Sequence, residues 1–184
     1  MFKNILVAVD GSATSKRGLA EAIRLARDQG AALTILHVVD ESWLFKNMGM
    51  GMDGAAYYMS DMIKDAVKAG KAILTESLVM ARINGVKAAT VLVEDMLLPV
   101  SDVIAHRAKK VRADLVVLGT HGRRGIRRLV MGSDAEGVLR QSKVPVLLVR
   151  AREVAAKRPK EGRSTVRRDR VGSQSEIRSS RVSV

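Results

Sequence analysis

The residues with the most chemical content form a glycine-rich run, Gly119-Thr120-His121-Gly122-Arg123-Arg124-Gly125, followed by Gly132-Ser133. Glycines repeated in one loop let a backbone approach a phosphate closely and aim several N–H groups at it. Gly132-Ser133 stands where a helical pattern begins, so the first N–H groups of that helix have no partner inside it. Those donors and the positive helix end favour an anion. Arg123, Arg124, Arg127 and Arg128 add four charges around the loop. From Gly119 to Ser133 the spacing is Gly-x2-Gly-x9-Gly-Ser. Ser133 and Glu136 also match an S-x-x-E capping box, which would assign both to helix stability. Capping, however, does not require Gly122, Gly125 and Gly132 together.

A second candidate is Asp10-Gly11-Ser12-Ala13-Thr14. Asp10 is suited to accept a ribose or base hydrogen bond, or to help hold a divalent ion. The same residues also suit a turn, with Gly11 permitting the tight bend and Ser12 or Thr14 capping the next helix. His37, His106 and His121 share no metal-ligand spacing, and His121 has no acid partner in sequence to make it a catalytic base. No Walker lysine signature, nucleophile elbow or kinase loop is present. The absence of cysteine excludes a disulfide scaffold, a thiolate nucleophile and Cys-ligated metal.

Both candidates follow short β-branched runs. Ile5–Val9, Leu33–Val39, Thr90–Val93, Asp114–Leu118 and Val144–Val149 are continuous enough for strands buried on both faces of a parallel sheet. Helical patterns separate them. One runs from Thr14 to Gln29 with Leu19, Ile23 and Ala26 on a stripe and Gly30 as its stop. A second spans Ser60 to Ile83 with Ile63, Val67, Ala72 and Leu78 apolar; the others span Val100 to Val111 and Asp134 to Ser142. The order β-α-β-α-β-α-β-α-β predicts a single doubly wound α/β domain, Rossmann-like, with a five-stranded parallel sheet and ligands at the carboxyl ends of its strands.

The chain has 184 residues, 47% of them hydrophobic and 3% aromatic, enough to build an aliphatic core. Its net charge of +13 favours anionic partners. Residues 151–184 hold 10 Lys/Arg against 4 Asp/Glu with few apolar side chains. This basic C-terminal tail is expected to be disordered, which places the domain at 1–150. The tail suits nucleic acid or another polyanion, but it lacks aromatic residues to stack on bases and is equally a solvated extension. Met48-Gly49-Met50-Gly51-Met52-Asp53-Gly54, flanked by Trp43, Phe45, Tyr57 and Tyr58, suits a connecting loop, a lid or an adaptable partner surface. No apolar run approaches the ~20 residues that span a bilayer, and Ile5–Val9 is too short for a signal-peptide core. A soluble, cytoplasmic protein without membrane attachment is expected.

Asp10-Gly11-Ser12, Leu36-His37-Val38-Val39, Ala113 through Gly122, Gly132-Ser133 and Val144 through Val149, in that order, resemble the universal stress protein family. The Gly-x2-Gly-x9-Gly-Ser pattern is similar to that of its ATP-binding branch. The resemblance implies that Ala8, Val9, Asp10 and Val38 surround adenine and ribose. Leu118, Gly119, His121 and Gly122 would lie along the ribose and inner phosphates, and Gly132, Ser133, Asp134 and Ala135 would hold the outer ones. It implies ATP, AMP or ADP as ligand, with Mg²⁺ accompanying the phosphates. It also implies a homodimer paired through Val144–Arg150, acting in stress regulation on a protein partner the residues do not identify. Asp134 departs from the pattern, where an apolar or hydroxyl residue is expected. Its carboxylate would repel a phosphate unless Mg²⁺ or the arginines offset it. Binding rather than dedicated catalysis is expected; slow ATP hydrolysis or autophosphorylation would need only positioning and charge stabilisation.

Overall fold

The computed structural model describes residues 1–40, 55–95, 98–122 and 131–150, with side chains omitted at 55–59. The described elements alternate without exception: β1 (Asn4–Ala8), α1 (Ala13–Gln29), β2 (Ala32–Asp40), α2 (Ala55–Ile83), β3 (Ala88–Asp95), α3 (Val100–Lys110), β4 (Leu115–Gly119), α4 (Ser133–Gln141) and β5 (Val146–Val149). All lie in one compact unit, Met1–Arg152. The sheet is parallel throughout, in the order β3-β2-β1-β4-β5. The chain order reverses between β1 and β4, and there the connections leave the sheet in opposite directions and open a crevice.

Successive strand residues face opposite sides, so each central strand serves two cores. Ile5, Val7, Leu33, Ile35, Leu115 and Val117 pack with Leu19, Ala22, Ile23 and Ala26 of α1 and with Leu74 and Ala81 of α2. Leu6, Leu36, Val116 and Leu118 pack with Val103, Ile104 and Ala108 of α3 and Ala135 and Val138 of α4. Continuous apolar runs are therefore needed at β1 and β4, which are covered on both faces.

The first helix follows its local signals. Ser12 is its N-cap, its Oγ accepting from the Ser15 N–H at 3.1 Å, so Ser12 rather than Thr14 does the capping. Gly30 closes the helix in the left-handed region, φ 66°, its N–H bonding back to the carbonyls of Ala26 and Arg27. The stripe Leu19, Ile23, Ala26 is buried as its spacing predicts. In α2 the inward stripe is Gly70, Leu74, Ser77 and Ala81; of the apolar positions named from sequence, Ile63, Val67 and Leu78 are half-buried and Ala72 is exposed. Exposed Asp61, Lys64, Asp65, Lys68, Lys71 and Glu76 mark the opposite, solvent side of this helix. The helix also begins at Ala55, five residues before the expected Ser60. The Met-rich run 48–54, Trp43 and Phe45, the arginines at 123, 124, 127 and 128, and the tail 151–184 lie outside the described residues, as do the side chains of Tyr57 and Tyr58.

The expected capping box is not formed. Gly132 is the N-cap of α4, with no side-chain cap; Ser133 is the first helical residue, and the Glu136 carboxylate pairs with Arg140 at 2.6 Å. One residue separates the two readings: a box would need Ser133 outside the helix, and the chain turns helical at it.

Candidate functional site

At the carboxyl edge the sheet register continues past the strands. The Val9 N–H donates to the Leu36 carbonyl at 2.8 Å, and the Thr120 N–H donates to the Val149 carbonyl at 2.9 Å. Asp10 and His121 therefore leave neighbouring strands at the same edge. Gly11, at φ 83°, turns the chain into α1, a conformation that glycine adopts without steric penalty. The Asp10 carboxylate is held in this turn: its Oδ1 accepts from the Ser12 N–H at 2.9 Å, and the Asp10 N–H donates to Ser15 Oγ at 3.3 Å.

The loop after β4 is fitted against this turn. Gly119 lies under α1, and a Cβ there would stand 2.9 Å from Thr14 Cβ and 3.0 Å from its Oγ1. Gly122 lies over Asp10, and a Cβ there would stand 2.9 Å from Asp10 Oδ2. The glycine spacing thus serves two close approaches to the β1–α1 turn. The hydroxyl of Thr14 donates to the His121 carbonyl oxygen. The Gly132 N–H donates to the Thr120 carbonyl at 2.9 Å, bringing the start of α4 beside the same loop.

Asp10, His121, Gly122 and Gly132 are accordingly brought together. Ser133 and Asp134 are exposed on the first turn of α4, and Ala135 is buried beneath them. Ala8 and Val38, both half-buried, join Leu118 and Ala135 on the α3–α4 side of the sheet, an apolar surface contributed by four elements. Val9 is not part of that surface. Its side chain packs in the α1–α2 core, its N–H is engaged by Leu36, and its carbonyl accepts from His37 Nδ1 at 2.7 Å.

Two features bear on what the site can hold. The N-cap of α4, Gly132, makes no side-chain cap bond, whereas α1 has Ser12; the positive end of such a helix favours an anion. His121 Nδ1 lies 2.9 Å from Thr120 Oγ1, while its Nε2 is sealed from solvent with no hydrogen-bond partner among the described residues. A buried ring nitrogen without a partner costs free energy, and a polar ligand group would satisfy it. Together with the glycine approaches, these features fit an anionic ligand with further polar atoms. Asp134 adds a negative charge at the helix start, favourable for the helix dipole. Among the described residues no three His, Asp or Glu side chains cluster to hold a metal, and no helix is long and apolar enough to cross a membrane.

Sequence reasoning named His37 and Thr14 but missed the roles they take here. His37, 1% exposed, holds the end of β1 from β2, and Thr14 bridges the two loops. Thr14 and His121 are 107 residues apart, and no local signal joins them.

Residues 1–150 match the profile of the universal stress protein family. The chain is 34% identical over 151 residues to universal stress protein YxiE of Bacillus subtilis, covering 82% of this chain and 100% of that one. It is 32% identical over 150 residues to universal stress protein MJ0531 of Methanocaldococcus jannaschii, covering 82% and 83%. A solved universal stress protein in complex with cAMP superposes with a TM-score of 0.57 at 26% identity, covering 82% of this chain and 98% of that one.

Proposed function

The chain belongs to the universal stress protein family, and from that premise we propose that it is a stress-response regulatory protein that binds an adenine nucleotide. ATP is the proposed ligand, with AMP or ADP able to occupy the inner part of the same site. The observation that carries this reading is the uncapped start of α4, drawn against the Gly119–Gly122 loop and beside Asp10. Ala8, Val38 and Leu118 would receive the base and ribose. Asp10, Gly119, His121 and Gly122 would line the path to the phosphates, and Gly132, Ser133, Asp134 and Ala135 would hold their outer end through helix-start N–H groups. Backbone Val9 would support the base side of the site through its bonds to β2. Mg²⁺ would offset the Asp134 charge near a triphosphate.

Nucleotide occupancy is proposed to be read by a partner rather than consumed, in a cytoplasmic homodimer paired through Val144–Arg150. Support comes from β5, an edge strand whose Val146, Leu147 and Leu148 are only half-buried. An apolar edge of this kind is a template for pairing with another chain. Sedimentation over a range of protein concentrations tests the dimer.

The nucleotide reading is tested by extracting bound nucleotide and by following the thermal midpoint while Mg²⁺-ATP is added. A ligand of the native state raises the midpoint by mass action. Gly132 has φ −66°, and a Cβ there meets nothing nearer than 3.4 Å, so Gly132→Val should fold. Its branched side chain would obstruct the helix start and remove the rise. No bound nucleotide, and no rise for the wild-type protein at millimolar ATP, would overturn the reading.

A further inference from the structure

Resting on the nucleotide reading, we infer that Thr14 is a positioning residue: with Ser12 it forms a hydroxyl latch that sets the β4–α4 loop against the β1–α1 turn. Thr14 is 6% exposed, within the first turn of α1. Its Oγ1 donates to the His121 carbonyl oxygen and lies 3.0 Å from Ser12 Oγ. A hydroxyl has one proton, so with that proton committed to His121, Thr14 must accept from Ser12. Ser12 is free to donate because its own acceptor role is met by the Ser15 N–H. The polarity of the relay is thereby determined: Ser15 N–H to Ser12, Ser12 O–H to Thr14, Thr14 O–H to the carbonyl of His121.

The relay starts beside Asp10. Ser12 N–H donates to Asp10 Oδ1, and Gly122, next to His121, lies so close that a Cβ there would stand 2.9 Å from Asp10 Oδ2. The latch thus sits where the His121–Gly122 peptide comes nearest to Asp10. Gly119 leaves the space that Thr14 fills, since a Cβ at 119 would overlap Thr14 at 2.9 Å. Helix α1 has its cap in Ser12 alone, so the Thr14 hydroxyl is not needed for capping. The two loops that it joins are those proposed to line the path to the phosphates. Breaking the latch leaves the His121 carbonyl and the Ser12 hydroxyl without their partner and lets the loops separate.

The experiment compares Thr14→Val, which keeps the branched shape and removes the hydroxyl, with Thr14→Ser, which keeps the hydroxyl. Two readouts are taken on the full chain: Mg²⁺-ATP affinity, and amide hydrogen exchange in peptides covering 10–15 and 119–122 without nucleotide. Thr14→Val is expected to weaken ATP by roughly tenfold, the loss of one buried hydrogen bond, and to speed exchange in both peptides. Thr14→Ser is expected to restore both. A role limited to packing would leave affinity unchanged once both proteins are folded and would not be rescued by serine. Faster exchange in Thr14→Val, together with no ATP uptake by the wild-type protein, would retain the latch and overturn the nucleotide reading. Unchanged exchange in Thr14→Val would overturn the latch, whatever the affinity.

Discussion

At the scale of single residues, the glycines around the site act by what they leave out. Gly122 does not need a positive φ, and among the described residues a side chain there meets the Asp10 carboxylate. Gly122→Ala should leave the thermal midpoint of the nucleotide-free protein close to wild type, because the residue is exposed. The same change should weaken nucleotide binding by moving Asp10 or the loop; a calorimetric titration with Mg²⁺-ATP checks this. Gly70 in α2 is the opposite case. A Cβ there would stand 2.6 Å from His37 Cδ2 and 3.0 Å from Leu92 Cδ1. Alanine in a helix interior gains up to about 1 kcal/mol over glycine, while overpacking a tight core costs about 1–3 kcal/mol. His37 cannot yield easily, since its Nδ1 is committed to Val9 and the ring is buried. Gly70→Ala should therefore destabilise, seen as a lower urea midpoint at unchanged slope.

At the scale of elements, α1 and α4 both turn their N-termini to the same edge, one capped by a side chain and the other not. Helix α1 is closed by Ser12, and Ser12→Ala should cost about 1 kcal/mol for the lost cap. It should also weaken nucleotide binding through the relay to Thr14, so stability and affinity fall together. Helix α4 begins at a glycine. Gly132→Ser supplies a capping oxygen at an extended position with room for a Cβ. The nucleotide-free protein should gain a few tenths of a kcal/mol, while the new hydroxyl occupies donors proposed for the phosphates. Thermal unfolding with and without Mg²⁺-ATP should show the two effects with opposite sign. A gain in both would mean that the start of α4 does not meet the ligand.

At the scale of the whole molecule, the described fold closes within Met1–Arg152. The β5 end is tied back to α1 by Arg17, whose Nη1 donates to the Arg150 carbonyl at 2.8 Å. A chain ending at Arg152 keeps this bond and should retain its thermal midpoint within about 2 °C and its response to ATP. If the +6 tail is a polyanion arm, removing it should weaken binding to nucleic acid and flatten the dependence of log K on log salt. Equal slopes for the full and shortened chains would leave the tail as a solvated extension.

The alternation of strands and helices, the stop at Gly30 and the buried stripe of α1 were legible in the sequence because each depends on neighbours within a few residues, whereas the cap of α1 was narrowed only to Ser12 or Thr14. The glycine spacing singled out the loop that the structure seats against the β1–α1 turn. The exact inward set of α2 was not legible, because apolar residues such as Met62, Ala69, Ala72 and Val79 stand on its exposed side too, and packing decides among them. Nor was the cap of α4, where the difference between Ser133 as cap and Ser133 as first helical residue is one residue of backbone geometry. The bridge from Thr14 to His121 and the seat of Gly122 on Asp10 exist only once β1 and β4 lie side by side. Contacts across more than a hundred residues leave no periodicity, and it is the parallel pairing of those two strands that creates them.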